Sequence, residues 1–147
     1  TVKAVKLRSL SVLLLLPFVL QSCSAGPEPI VAGKDHCDFC KMTITEPRYA
    51  AELLTKKGRV YKFDDIQCLL QYHAAGSVSA ADIQGFYLSD YTGTHALLKA
   101  EDSFLFRSEE LRTPMNGQVI AFGHRDSLQA VAARLKGEIL TWQQLMK

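Results

Sequence analysis

Runs of apolar residues divide the chain after residue 36 into two similar passes. Short runs rich in β-branched and aromatic residues predict strands, and runs with apolar residues three or four positions apart predict helices. Each pass has the order strand, strand, helix, strand, which predicts an α+β fold of two ββαβ subdomains packed together, over about residues 36–92 and 93–147. The predicted strands cover residues 48–55, 59–63, 85–91, 103–107, 117–122 and 138–141, and the predicted helices cover residues 65–75 and 126–136.

The first predicted helix is apolar on two sides. Asp64 precedes it as the predicted N-cap. Ile66 and Leu69 belong to the apolar stripe that is typical of a core-facing side, whereas Cys68 lies nearly opposite that stripe. Such a helix is either sandwiched between other elements or offers its second side to another group. Cys68 is therefore not interpreted as a simple core residue of the main stripe.

The start of the chain has the pattern of a secretory signal. Lys3, Lys6 and Arg8 precede an apolar run over residues 10–20. A membrane-spanning helix needs about 20 apolar residues, so this run is too short to be one. Residues 1–22 are therefore interpreted as a signal peptide.

Cys23 ends a four-residue sequence, Leu-Gln-Ser-Cys, that resembles the bacterial lipobox. In lipoproteins of this kind the signal is cleaved before the Cys, and acyl chains on that Cys anchor the protein to a membrane. Residues 23–35 are accordingly interpreted as the lipidated Cys and a flexible tether that contains Pro and Gly. We expect a lipid-anchored protein of the cell envelope that faces the periplasm, and Ser24 favours export to the outer membrane.

The composition excludes several classes of protein. The 147 residues are 48% hydrophobic and 22% charged, which excludes a disordered chain. Three of the 17 basic residues lie in the predicted signal, so that 14 basic and 15 acidic groups remain. A net charge near zero gives no electrostatic footprint for nucleic acid, and that class of partner is excluded. The chain has no motif for nucleophilic catalysis or phosphate binding, and no enzymatic activity is predicted.

The candidate chemistry is concentrated in a short sulfur-rich segment. Cys37 and Cys40 form a Cys-x-x-Cys motif, and Met42 follows two residues after it. When the predicted lipidation site, Cys23, is left out, Cys68 is the third and last thiol of the chain. Three thiols cannot form a closed set of disulfides in an oxidising compartment, so at least one of them needs another explanation.

Four interpretations of the sulfur-rich segment are possible, and three of them do not involve copper. Cys37 and Cys40 can be a redox dithiol, although the residues that follow are a poor helix start and such sites use a helix N-terminus to lower the thiol pKa. The same two residues can bind structural zinc together with Cys68 and His73. They can also form a structural disulfide while Cys68 is buried as a small apolar residue.

A monovalent copper site fits the residue types best. Thiolate and thioether together select Cu(I), which accepts two or three ligands. On an extended segment, Cys40 and Met42 point to the same side because they are two residues apart. Met115 lies on a turn-rich predicted loop and is a candidate third donor. The remaining candidate ligands are Cys37, Cys68 and His36.

The order and spacing of these motifs resemble the NosL family, whose members are membrane-anchored copper chaperones encoded with nitrous oxide reductase. The resemblance covers nearly the whole chain after the signal. It rests on the lipobox at Cys23, on Cys-Asp-Phe-Cys-Lys-Met at residues 37–42, on Phe-Asp-Asp-Ile-Gln-Cys at 63–68, and on the segments 87–91, 95–100, 103–106 and 114–122.

The resemblance implies both a fold and a function. It implies a domain of two ββαβ subdomains over residues 36–147, and Cu(I) binding through Cys40 and Met42. It further implies that the protein delivers copper for maturation of the copper centres of nitrous oxide reductase. The implied partner is that enzyme or its membrane assembly machinery.

Overall fold

The computed structural model describes residues 26–147 and has the α+β fold predicted from the sequence. The predicted signal, Cys23 and Ser24 lie outside the described residues. Within residues 26–147, no helix is long and apolar enough to cross a membrane. The elements are β1 (Ala51–Thr55), β2 (Val60–Phe63), α1 (Ile66–Ala74), β3 (Ile83–Ser89), β4 (Leu97–Lys99), β5 (Phe104–Arg107), β6 (Val119–Phe122), α2 (Arg125–Ala132), β7 (Glu138–Leu140) and α3 (Trp142–Leu145).

The strands form two antiparallel sheets that repeat one connection pattern. The first sheet has the order β2-β1-β3-β4 and the second has the order β6-β5-β7. In each sheet a hairpin of two strands is followed by a helix, and the next strand pairs with the first strand of the hairpin. The predicted pair of ββαβ units is therefore confirmed.

The two units differ in the connection within the hairpin. β1 and β2 are joined by a short turn, in which Gly58 has a φ of +84° and Thr55 Oγ1 accepts a hydrogen bond from the backbone N–H of Arg59 at 2.9 Å. β5 and β6 are joined by the much longer loop 108–118, which carries Met115. The second unit thus places a long loop where the first has a tight turn.

Several boundaries differ from those predicted. Pro47–Tyr49 forms a 3-10 helix, so β1 begins only at Ala51. The N-cap of α1 is Asp65 and not Asp64, because the Asp65 side chain accepts a hydrogen bond from the backbone N–H of Gln67 at 2.8 Å. The second helix ends at Ala132, four residues earlier than predicted.

β4 was not predicted, and it extends the first sheet past residue 92. Its partner is β3, with Leu88 opposite Leu98. The segment that follows it, Ala100–Asp102, is a 3-10 helix that leads into β5. The chain therefore belongs to the first sheet as far as Lys99.

One hydrophobic core joins the two units. α1 packs against β1 and β2, and it also contacts β6 of the other sheet. The helix is therefore sandwiched, which is one of the two arrangements expected from its two apolar sides. A parallel bridge between Asp90 and Ala121 also links the sheets. The buried residues of this core include Leu53, Phe63, Ile66, Cys68, Leu69 and Leu88 from the first unit and Leu105, Val119, Ala121 and Trp142 from the second.

The outer face of the first sheet is covered by the segment that precedes the sulfur-rich motif. Glu52 lies on β1 and is fully buried, and its Oε2 accepts the backbone N–H of Glu28 at 3.1 Å. Lys62, opposite Glu52 on β2, donates to Asp35 at 2.9 Å and to the carbonyl of Pro29 at 3.1 Å. The predicted tether is thus hydrogen bonded to the domain from residue 28 onward.

Glu52 makes the stability of the fold depend on pH. Its second oxygen, Oε1, has no hydrogen-bond partner among the described residues, and burial raises the pKa of this carboxyl to about 7. The pKa is therefore higher in the folded than in the unfolded protein. The contribution of Glu52 to stability is fully present below its unfolded pKa of 4.5 and is lost as the pH rises through about 7.

We predict that Glu52→Gln removes this loss, because the amide stays neutral. Relative to the wild type, the variant should gain at most about 2.5 kcal/mol in the free energy of unfolding between roughly pH 5 and pH 8.5, because part of the loss already occurs below pH 5. Urea unfolding at the two pH values measures the gain. Glu46→Gln, at an exposed carboxylate, is the matched control. An equal difference between Glu52→Gln and wild type at both pH values would contradict the prediction.

Candidate metal centre

The Cys-x-x-Cys motif lies at the tip of a small hairpin. His36 and Thr43 form an antiparallel bridge, and the backbone N–H of Cys37 donates to the carbonyl of Met42 at 2.8 Å. The N–H of Lys41 donates to the carbonyl of Cys37 at 3.0 Å, and Lys41 itself has a φ of +66°. The motif is therefore held by a tight turn and not by the start of a helix, in contrast to a redox dithiol site. Because Lys41, between Cys40 and Met42, has a left-handed conformation, the segment is not extended there, and the predicted reason for Cys40 and Met42 to point to the same side is wrong.

Asp38 attaches this hairpin to the edge strand β2. The backbone N–H of Asp38 donates to the carbonyl of Lys62 at 2.7 Å, and the N–H of Lys62 donates to Asp38 Oδ2 at 2.8 Å. Lys62 is the second-to-last residue of β2, and Asp64 and α1 follow directly. The paired hydrogen bonds therefore place Cys37 and Cys40 beside the start of α1.

Three thiols and one carboxylate meet at that point. We refer to Cys37, Cys40, Asp64 and Cys68 as the thiol cluster. Their sulfur and carboxylate oxygen atoms all lie within 4.8 Å of one another, and this is the one such group of possible ligands within residues 26–147. The Sγ of Cys40 is 3.5 Å from both carboxylate oxygens of Asp64. Cys40 is partly exposed and the other three are buried, so the cluster opens to solvent on the Cys40 side.

The loop that carries Met115 is fixed to the residue next to the cluster. Asp65 Oδ2 accepts hydrogen bonds from Thr113 Oγ1 at 2.7 Å, from the backbone N–H of Met115 at 2.8 Å and from that of Gly117 at 3.4 Å. Asp65 is itself buried. A loop from the second unit is thus held at the start of α1 in the first unit.

Comparison with known families and structures shows the family and the fold of the chain. The sequence profile of the NosL family matches residues 30–147. The chain belongs to the NosL family. Among solved structures, the crystal structure of the copper chaperone NosL from Shewanella denitrificans matches with a TM-score of 0.69 and 18% sequence identity, over 82% of this chain and 95% of that one. At this identity the match shows a shared fold. No curated protein is significantly similar to the chain.

In this NosL-family chain the negative charge of the thiols is concentrated on Cys37. The hydrogen bond from the Cys68 thiol, with those from the backbone N–H groups of Asp64, Cys40 and Phe39, lowers the pKa of Cys37 to about 6 against the effect of burial. Because Cys68 donates that bond and is buried, its own pKa is strongly raised. Cys37 is therefore a preformed thiolate at neutral pH.

The Cys40 thiol stays protonated in the absence of a cation. Burial, together with the negative charges of Cys37 and Asp64, raises the pKa of Cys40 to about 11. Deprotonation of Cys40 would add a negative charge close to those of Cys37 and Asp64, and their repulsion opposes it. A bound metal cation reverses that repulsion and displaces the proton, so metal binding and proton release are linked.

Asp64 is the member of the cluster that the sequence analysis missed, because it was predicted to be the helix cap. The sequence signal for this role is the pair Asp64-Asp65, because only one of two adjacent residues can be the N-cap and the other is available for a different role. His73, considered as the fourth zinc ligand, is not in the cluster. Its ring packs against Phe86 with the ring centroids 5.1 Å apart.

The other candidate ligands are exposed at the protein surface. Met42 is 57% exposed and Met115 is 37% exposed. His36 is exposed at the base of the hairpin and is not part of the cluster. The structure therefore brings together Cys37, Cys40 and Cys68, while ligand roles for Met42, Met115 and His36 stay predictions.

We predict that the reduced, metal-free protein contains one thiolate near neutral pH. Its ultraviolet absorbance should rise with a midpoint near pH 6, as the pKa of Cys37 requires. Cys37→Ser should abolish the rise, and Cys68→Ala should move the midpoint upward because it removes a hydrogen-bond donor. Cys40→Ser is the matched control and should keep the step. A first ionisation step above about pH 8 in the wild type would contradict the prediction.

Proposed function

We propose that this NosL-family protein binds Cu(I) at the thiol cluster together with Met42 and transfers the ion to an acceptor protein. The observation that carries the proposal is the position of Cys40. Its sulfur belongs to a cluster of three thiols, and the thioether of Met42, two residues away, is largely exposed. Thiolate and thioether sulfur are the donors that Cu(I) prefers.

Exchange of the ion is favoured by the same arrangement. Cu(I) is stable with two or three ligands, so an incoming sulfur or imidazole from an acceptor can bind before the last protein ligand leaves. Phe39, Met42 and Met115 are all exposed apolar side chains on the hairpin and on the loop held by Asp65. We infer that these side chains are part of the surface that the acceptor contacts.

The proposed biological role follows from family membership. We infer that the acceptor is nitrous oxide reductase or its membrane assembly machinery, and that the copper serves the metal centres of that enzyme. Lipidation at Cys23 and anchoring in the cell envelope, facing the periplasm, are supported by the lipobox-like sequence. The neighbour from Shewanella denitrificans is described as a copper chaperone, which supports a transport role and not an enzymatic one.

A thiol oxidoreductase is the main alternative, and two observations disfavour it. The more acidic thiol, Cys37, is buried and is therefore inaccessible to a substrate disulfide. The partly exposed thiol, Cys40, has a raised pKa and is a poor nucleophile. A zinc-stabilised structural domain is the other alternative, because three thiolates and a carboxylate also suit zinc.

The test is an anaerobic titration of the reduced protein with Cu(I) in the presence of a competing chelator. We expect one tightly bound Cu(I). Cys40→Ser should weaken binding by about 100-fold or more, since loss of a direct ligand costs at least as much as loss of an outer partner, and Met42→Leu by about tenfold. Met146→Leu, which changes a methionine packed on the core, is the matched control and should bind normally.

Three results would overturn the proposal. One is the absence of Cu(I) binding by the reduced wild type. Another is stoichiometric zinc in the isolated protein, with Cu(I) unable to displace it and with Met42→Leu unchanged. The third is a disulfide-exchange activity that Cys37→Ser abolishes while Met42→Leu retains normal Cu(I) affinity, which would establish the oxidoreductase.

A further inference from the structure

Only a few residues separate the proposed lipid anchor, Cys23, from the folded domain. The backbone N–H of Glu28 donates to Oε2 of the buried Glu52 at 3.1 Å, and the carbonyl of Pro29 accepts a hydrogen bond from Lys62 Nζ at 3.1 Å. Glu28 is the fifth residue after Cys23. Because five residues span at most about 17 Å when fully extended, the free chain between an acylated Cys23 and the domain is short.

The attachment that begins there continues up to the sulfur-rich hairpin. Asp35 Oδ2 accepts hydrogen bonds from the backbone N–H of Val31 at 2.7 Å and from Lys62 Nζ at 2.9 Å. The carbonyl of Asp35 accepts the N–H of Ile44 at 2.9 Å, just after the hairpin. Residues 28–35 therefore belong to the domain and do not lengthen the tether.

The short free chain restricts how the domain can be oriented at a membrane. A headgroup layer is about 5–7 Å thick, so roughly 10–12 Å of the chain remain above it at full extension. A folded domain of about 120 residues has a radius of gyration of about 14 Å, which corresponds to a diameter of roughly 35 Å. To turn its opposite side to the lipid, the domain would have to raise Glu28 by about its own diameter, which exceeds the reach of the chain.

The surface next to the free chain has a composition compatible with lipid headgroups. We refer to residues 27–34 as the anchor face. Its exposed side chains are mostly small or apolar, and Val31 is 45% exposed. Its two charged residues, Glu28 and Lys34, have opposite signs. The anchor face therefore has no net charge that anionic headgroups would repel.

We propose that the anchor face lies on the headgroup layer of the membrane that holds Cys23, and that the domain therefore has one preferred orientation. The inference rests on lipidation of Cys23, which is part of the proposed function, and goes beyond it by assigning a lipid-contacting surface. Lys62 connects this surface to the thiol cluster, because its side chain binds Pro29 and its backbone binds Asp38 of the Cys-x-x-Cys motif. Copper is thus exchanged at a fixed, short height above the lipid.

The test measures energy transfer from tryptophan to lipid in the full, lipidated chain. The protein is reconstituted in vesicles of phosphatidylethanolamine and phosphatidylglycerol that contain a small fraction of a lipid with a dansyl headgroup. Val31→Trp places the donor on the anchor face, and Ile139→Trp, also at an exposed apolar residue, is the matched control on β7. β5 separates β7 from β6, the strand that is bridged to the first sheet. The natural Trp142 is buried and gives a common background, which the wild type measures.

We expect several-fold more energy transfer from Val31→Trp than from Ile139→Trp, because only the anchor face can approach the lipid. Lys34→Trp, at a second exposed position of the anchor face, should behave like Val31→Trp and replaces it if that variant does not fold. When each variant is combined with Cys23→Ser, which cannot be acylated, the same vesicles should give little transfer from any position.

A longer tether should remove the preferred orientation. An insertion of about 20 Gly and Ser residues between Ala25 and Gly26 adds an r.m.s. length of about 25 Å, which together with the native chain is enough to span the domain. The difference between the two probes should then largely disappear. Cu(I) affinity should stay that of the wild type, since the insertion lies outside the thiol cluster. The same insertion after Lys147 is the matched control and should preserve the difference.

The outcomes separate this inference from the proposed function. If the acylated, vesicle-bound protein gives equal transfer from Val31→Trp and Ile139→Trp, or if the insertion before Gly26 leaves their difference unchanged, the proposed orientation is wrong, whereas lipidation and Cu(I) binding stand. If mass spectrometry finds no acyl chain on Cys23, the anchoring part of the proposed function fails and the inference fails with it.

Discussion

One carboxylate and three thiols share a small, largely buried space at the start of α1, and the surrounding structure depends on the electrostatic cost of keeping ionisable groups there. Asp64 and three thiols lie within 4.8 Å of one another. At such distances each additional negative charge is opposed by the others, and burial increases that opposition. The protein places donors around Cys37 and leaves Cys40 and Cys68 protonated, so that the full set of anionic ligands forms only when a cation arrives.

The pair Asp64-Asp65 divides two tasks between adjacent residues. The backbone at Asp65 is extended, with φ −146° and ψ 144°, and consecutive side chains on an extended segment point to opposite sides. Asp64 therefore faces the thiols, while Asp65 caps the helix and holds the loop of the second unit. Two residues connect the thiol cluster, the helix start and the contact between the units, which explains why both carboxylates are buried.

The local patterns of the sequence were sufficient to predict the repeated ββαβ order. They were also sufficient to identify the three thiols as candidate ligands of one site. They were insufficient where two equivalent residues compete, as at Asp64 and Asp65, because only contacts with distant residues decide which one caps the helix. β4 has three residues, too few for a period to be visible, and its partner β3 determines it. The Pro- and Gly-containing segment before Asp35 had the composition of a tether, yet Lys62 and Glu52, far along the chain, hold it.

Asp38 has a structural effect beyond holding the thiols. By pairing with Lys62 it occupies the outside of β2, the strand at one end of the first sheet. An uncovered strand at such a position is a template on which another chain can add, and proteins protect such positions to avoid aggregation. The sulfur-bearing hairpin is thus also a cover for the sheet. Displacement of the hairpin would therefore expose the edge of β2 and threaten the solubility of the whole protein.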